Sequence, residues 1–239
     1  MYILALETTG PLGSVALIDK NEKIYKRSST ERMNHLKDLM PMAEQVIKEA
    51  GISKSQITAV AASIGPGSFT GIRIGVSSAR AIGQALSIPC ISVPTLDTFK
   101  QKCREATVVC PIFDARRNQV YGAVFSEKGE NILDPGPYML EEVLQVLAKE
   151  NKKTLFFGDG IDAYRDKIIE SLKCELVFAP EADRYQDAEM VAIAAMEKYR
   201  KNDIVEVNKL LPEYMRMAEA ERKLKDGTLE KERRVKING

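Results

Sequence analysis

Residues 64 to 75 read IGPGSFTGIRIG. They follow an apolar run, TAVAAS, that reads as a buried strand, and they lead into VSSARAIGQAL, which reads as a helix. Three uses compete for the glycines. A P-loop requires GxxxxGK[ST], whose lysine meets the outer phosphates, and no such pair follows Gly71 or Gly75. A dinucleotide fingerprint requires GxGxxG, and the spacing from Gly65 and Gly67 to Gly71 is one residue too long. A tight Gly-Pro-Gly turn into a helix capped by Ser68 or Thr70 would still present amides to an anion. The remaining use is steric: Gly67, Gly71, Gly75, Ala79 and Gly83 recur every four residues and form one ridge of minimal side chains. Glycine costs roughly 1 kcal/mol relative to alanine inside a helix, so this ridge implies close approach of another backbone. That backbone belongs either to the protein's own sheet or to a second subunit. Ile72, Ile74, Val76, Ile82 and Leu86 make the helix apolar on more than one face, which implies cover on more than one side.

Outward from this crossing, the pattern is regular. ILALET, SVALID and KIYKRSS, separated by GPLG and KNE, read as a three-strand meander. HLKDLMPMAEQVIKEAG places Leu36, Leu39, Met40, Ala43, Val46, Ile47 and Ala50 at helical spacing, with Pro41 in the first turns and Gly51 as the stop. After the glycine-rich helix come a strand, CISV, and a short helix, TLDTFKQK, so the order is βββαβαβα. The order then recurs: TVVCPIFDA, QVYGAVFS and a run near Ile132 as strands, LEEVLQVLAKE, KTLFFGDG, IDAYRDKIIESL, ELVFAP and DAEMVAIAAMEKYRK. Two tandem units predict a duplicated α/β domain, with an N-terminal lobe at 1–106 and a C-terminal lobe at 107–207. Residues 208–239 read as a docking segment around Leu210 to Met217 and then a charged tail, with eight basic and five acidic side chains between 216 and 236. The tail reads as a solubilising terminus or as a partner- or RNA-facing one.

Composition narrows the function. The 239 residues carry 35 Lys and Arg against 34 Asp and Glu, which excludes a global basic field for nucleic acid. No run approaches a membrane span and the N-terminus lacks a signal-peptide pattern, so a cytoplasmic location without membrane partners is expected. Cys90, Cys103, Cys110 and Cys174 form no CxxC pair and read as reduced thiols. His35 is the single histidine, which removes any metal site built on two histidines.

LALETT followed by SVAL, then GPGSFTGIRIGVSSARAIGQAL, ISVPTLDTF, PIFDARRNQVYGAVF and PEYMR resemble the TsaB family, also called YeaZ, over residues 1 to 217. This is the bacterial subunit of the machinery that makes threonylcarbamoyladenosine beside the anticodon of tRNA. The resemblance implies an actin-like, Hsp70-like, sugar-kinase-like fold, in agreement with the duplicated order. It also implies a relative of the transferase TsaD that has lost the chemistry and acts by pairing with it. The catalytic relative holds its metal with two histidines just after the strand matching CISV; here PTLDTF places Thr95 and Phe99 there, and neither replaces imidazole.

The resemblance therefore implies a scaffold subunit with no catalytic residue and no metal. Helices 34–50 and 70–86 would bind the equivalent helices of TsaD, and the same surface would support a homodimer. The implied interface residues are Leu36, Leu39, Met40 and Ala43 on the first helix, and Gly71, Ile72, Gly75, Val76, Ala79, Ile82 and Gly83 on the second. TsaE and tRNA would be met through the complex, which uses ATP, while this subunit needs no cofactor.

Other sites stay open. Glu7, Thr8 and Thr9, with Gly67 and Ser68, sit where related ATPases approach phosphate, although a strand end turning at TTGPLG explains them equally well. Asp114, Arg116 and Arg117 read as a salt-bridged turn or as a partner or RNA contact. Ser63 or Ser68 as a hydrolytic nucleophile would lack a base and a GxSxG context. Two alternative functions follow: an ATP-dependent small-molecule kinase of the same fold, which would depend on Glu7, and a metallopeptidase.

Overall fold

A computed structural model describes residues 1–30 and 35–215, without the side chains of His35 and Leu36. The Leu36 side chain and the tail from 216 therefore lie outside the described residues.

The apolar runs become two five-stranded sheets. In the first, β1 (Tyr2–Glu7), β2 (Ser14–Asp19), β3 (Ile24–Ser28), β4 (Ala59–Gly65) and β5 (Cys90–Pro94) take the order β3-β2-β1-β4-β5. In the second, β6 (Thr107–Asp114), β7 (Gln119–Phe125), β8 (Asn131–Met139), β9 (Lys153–Phe157) and β10 (Leu176–Phe178) take the order β10-β9-β6-β7-β8. Read from each half's first strand, the two orders are the same. The duplicated α/β lobes of the actin-like, Hsp70-like, sugar-kinase-like class are thus present in the strand pairing itself. In each half the meander pairs antiparallel, whereas β4 beside β1 and β9 beside β6 pair parallel. Parallel pairing requires a crossover, which the helices supply.

α1 (His35–Glu49) and α2 (Phe69–Leu86) cover one face of the first sheet, and α3 (Leu140–Glu150) and α4 (Gly160–Ser171) cover the matching face of the second. Central strands such as β1 are buried on both faces, which explains their unbroken apolar runs. β8 contains Pro135 and Pro137, which suit it to a sheet edge, where a missing amide breaks no ladder.

The other faces are closed by exchange. α5 (Ala188–Arg200), from the second half, packs Ala188, Val191, Ala192, Ala195 and Met196 on the first sheet against Ile3, Ala5, Ile91 and Val93. The 3-10 segment Leu96–Lys102, from the first half, packs Leu96 and Phe99 on the second sheet against Val109, Phe113 and Phe125. A division of the chain at residue 106 is therefore not a division of cores.

The chain after α5 returns to the first half as a strap. Val205 pairs with Cys90, Leu210 is fully buried beside α1 and α2, and the Glu213 amide donates to the Ile64 carbonyl at 2.8 Å. Tyr214 ends it, with its ring 4.7 Å from Phe69 and its hydroxyl accepting from Arg73 Nε at 2.9 Å. We expect Tyr214→Ala to cost about 1 kcal/mol and to speed hydrogen exchange at the Glu213 amide about fivefold, as read by NMR. Unchanged exchange would show that the strap is held without the ring.

Candidate functional site

The carboxyl ends of β1, β4, β6 and β9 converge on a cleft of about 780 Å³ between the sheets, the usual position of a ligand crevice in open α/β folds. Its first-half wall is the turn after β1 and the Gly67–Ser68 approach to α2; its second-half wall is the ends of β6 and β9 and the start of α4.

The turn after β1 is closed on itself. Glu7 is fully buried, and its Oε1 accepts from the Thr9 amide at 2.5 Å and the Thr9 hydroxyl at 2.6 Å. Its Oε2 accepts from Ser63 Oγ. Burial pushes this carboxyl above its usual range, while the bonds from Ser63, Thr9 and the Gly10 amide pull it back. Thr8 Oγ1 donates to the Gly71 carbonyl at 2.7 Å, and the Thr9 carbonyl accepts from the Ser68 amide at 2.8 Å. Ser68 Oγ caps α2 by accepting from the Gly71 amide at 3.2 Å. The Thr9 amide is taken by Glu7, the Ser68 amide by the Thr9 carbonyl and the Gly71 amide by Ser68 Oγ, so of the two readings open for Glu7, Thr8 and Thr9 these bonds favour the turn closed on itself over an anion contact. Gly67 and Ser68 still face the cleft.

The glycine ridge also resolves inward. A methyl group on Gly71 would overlap the Thr8 carbonyl, and one on Gly75 would overlap Thr8 Oγ1. One on Gly67 would stand 2.7 Å from Thr9 Cβ, and one on Gly83 would stand 2.9 Å from Cys90 Sγ. The close approach demanded by the glycines is to the chain's own first half. As candidate contact residues, Leu39, Ala43, Gly71, Ile72, Gly75, Val76, Ala79 and Gly83 are corrected, since all are buried within the chain. Met40, 49% exposed, and Ile82, half-buried, keep outward surface. The outward side of α2 is instead Phe69, Arg73, Ser77, Ala81 and Ala85, flanked by half-buried Ile74 and Ile82.

Asp114 makes no ion pair with Arg116 or Arg117 among the described residues, so the salt-bridged turn is corrected as well. Its Oδ1 accepts from the Arg116 amide at 2.7 Å and from Tyr164 Oη at 2.9 Å. Both arginines stand exposed on the β6–β7 hairpin, in left-handed conformations with φ of 65° and 57°, and Arg116 lines the cleft. Thr95 and Phe99 are fully buried, Phe99 against Phe113 and Phe157. All four cysteines are free. Among the described residues no cluster of metal-ligating side chains forms and no helix is long and apolar enough to cross a membrane.

The cleft also gathers residues that sequence reasoning passed over: Tyr121, Asp159, Asp162, Tyr185 and Gln186. No spacing signals them, because they come from three separate segments.

A family model of TsaD, tRNA N6-adenosine threonylcarbamoyltransferase, matches residues 29–224. The tRNA threonylcarbamoyladenosine biosynthesis protein TsaB of Escherichia coli (strain K12) is 31% identical over 243 residues, covering 94% of this chain and 98% of that protein. This chain is a TsaD-like protein of the TsaB family. TsaB of Bacillus subtilis (strain 168) is 29% identical over 227 residues, covering 93% of this chain and 97% of the relative. The solved structure of YeaZ from Pseudomonas aeruginosa superposes with a TM-score of 0.72 at 26% identity, over 89% of this chain and 99% of that one. Membership of the TsaB family places the chain in tRNA threonylcarbamoyladenosine biosynthesis.

Proposed function

We propose that this TsaB-family chain is a non-catalytic scaffold that binds the TsaD transferase and supports transfer of the threonylcarbamoyl group to the adenosine beside the anticodon of tRNA. The observation that carries this reading is Glu7. Its buried carboxylate takes the Thr9 and Gly10 amides at the place where a kinase of this fold would hold phosphate. The chain's single histidine and the buried Thr95 and Phe99 weigh against a metal-dependent transferase or peptidase. Docking is assigned to the outward sides of α1 and α2, around Met40, Ile74, Ala81 and Ile82, and a second copy of the chain would use the same patch. TsaE and tRNA join through the complex, and ATP is used by the complex rather than here.

The test is threonylcarbamoyl transfer to tRNA by the transferase and TsaE with ATP and threonylcarbamoyl-AMP, with and without this chain. Activity is expected only in the full mixture. Turnover of ATP by the chain alone, or activity indifferent to its presence, would sink the reading. Ala81→Arg should melt as the wild type does yet bind the transferase at least ~30-fold more weakly in a titration, because a guanidinium is trapped in an apolar contact.

A further inference from the structure

Among the described residues, the network around Glu7 leaves one group unsatisfied. Gln186, only 5% exposed, donates Nε2 to Thr9 Oγ1 at 3.0 Å, and Thr9 Oγ1 gives its own hydrogen to Glu7. That chain of bonds fixes the amide's orientation and leaves Oε1 as a buried acceptor with no partner among the described residues. Gln186 lines the cleft together with Asp114 and Asp159, whose Oδ1 accepts from the Asp114 amide at 3.0 Å. Among the described residues the side-chain bonds of both carboxylates fall on Oδ1, which leaves each Oδ2 open to a further donor. Asp162, also in the wall, is held by Arg184 at 2.5 Å. Phe113, Tyr121 and Tyr185 add aromatic surface, and Arg116 is the one cation among the described lining residues.

The site is thus rich in acceptors and aromatic faces and poor in donors. Phosphate would meet carboxylates here and find the Thr9, Ser68 and Gly71 amides taken. We propose that the cleft binds a guanidinium or alkylammonium group, whose N–H donors reach Gln186 Oε1 and the open oxygens of Asp159 and Asp114 against the rings of Phe113 and Tyr121. Burial first, and then the charges of Asp114 and Asp162, push the Asp159 carboxyl up, so a bound cation would favour its ionised form. The cation has two sources. One is a free small molecule. The other is the chain itself: the described residues end at 215, where the strap meets Phe69 just beyond Gly67 and Ser68 of the cleft wall, and eight basic residues follow between 216 and 236.

The experiment is calorimetric titration of agmatine into three full-length chains: wild type, Asp159→Asn, and a chain with glutamine at the eight basic positions between 216 and 236. Asparagine keeps the oxygen that accepts from Asp114, so the fold is expected to hold; should it melt early, Asp114→Asn replaces it. Saturable binding weakened at least ~tenfold by the carboxylate change supports the proposal. Equal affinity in the wild type and the glutamine chain assigns the site to a free cation. Binding that tightens at least ~tenfold in the glutamine chain assigns it to the chain's own basic segment. No saturable binding to any chain, affinity indifferent to the carboxylate, or preferential binding of inorganic phosphate overturns it. None of these outcomes depends on the partner-binding role.

Discussion

Gly71→Ala is expected to lower the melting temperature by about 10 °C, although alanine is the better helix former. The two effects oppose each other and their sizes decide. Alanine gains roughly 1 kcal/mol of helix propensity at an interior position. Against this, its methyl group would overlap the Thr8 carbonyl, a backbone atom that cannot swing aside as a side-chain tip can. Thr8 is pinned from both sides, because its hydroxyl donates to the Gly71 carbonyl and the next residue's amide binds Glu7. Relief therefore requires α2 to move off the first sheet, which breaks the packing of Ile72, Val76 and Ala79. Overpacking of this kind costs about 3 kcal/mol or more, and each kcal/mol is worth roughly 2–4 °C in a chain of this size. Ser77→Ala, on the exposed side of the same helix, should change the melting point by no more than about 1–2 °C. A calorimetric scan of both variants settles the matter: Gly71→Ala melting at or above the wild type would mean that the ridge has room. Gly75→Leu should fail to fold at all, so lost partner binding in that variant would say nothing about the docking surface.

The same ridge marks where sequence reading stops. Period-2 and period-3.6 patterns record burial, which is why the two βββαβαβα units are legible, from ILALE in β1 to the last helix, DAEMVAIAAMEKYR. The four-residue spacing of Gly67, Gly71, Gly75 and Gly83 records only that something comes close. What comes close to Gly67, Gly71 and Gly75 is Thr8 and Thr9, some 63 residues away for the Thr8–Gly71 bond, while Gly83 meets Cys90, and no local pattern encodes the pairing with Thr8 and Thr9. The exchange of α5 and the Leu96–Lys102 segment between sheets is hidden for the same reason: each segment's apolar stripe names a face and not its partner. Asp114, Arg116 and Arg117 were legible as a turn, but the carboxylate caps the Arg116 amide, a choice of backbone over side chain that composition cannot show. Gln186 carried no signal because its meaning comes entirely from Thr9.

Glu7 supplies the second large effect, and it separates charge from hydrogen bonding. Glu7→Leu strands the Thr9 and Gly10 amides and the Thr9 and Ser63 hydroxyls in a site without water-exposed surface. Each unsatisfied buried donor costs about 1–3 kcal/mol, so the sum is expected to exceed ~4 kcal/mol, a large share of the roughly 5–15 kcal/mol that keeps a domain folded. Glu7→Gln should instead stay folded, because its oxygen can take the Thr9 and Gly10 donors while the Ser63 hydroxyl turns to accept from the new amide. The glutamine variant also reads the carboxyl's titration. Folding raises the Glu7 pKa above its ordinary 4.5, so between that value and the raised one the native state binds more protons than the unfolded chain. The stabilisation linked to the protonated form is complete below pH 4.5 and is lost as pH rises through the native value. Urea unfolding of both proteins across that range should therefore show the balance moving toward Glu7→Gln as pH increases. A constant difference would mean that the four hydrogen bonds fully offset burial, and a leucine variant as stable as the glutamine one would mean that Glu7 is not what closes the turn. If the turn is closed as described, neither variant gains affinity for ATP in a titration: the glutamine oxygen keeps the same amides, and leucine removes the fold that would present them.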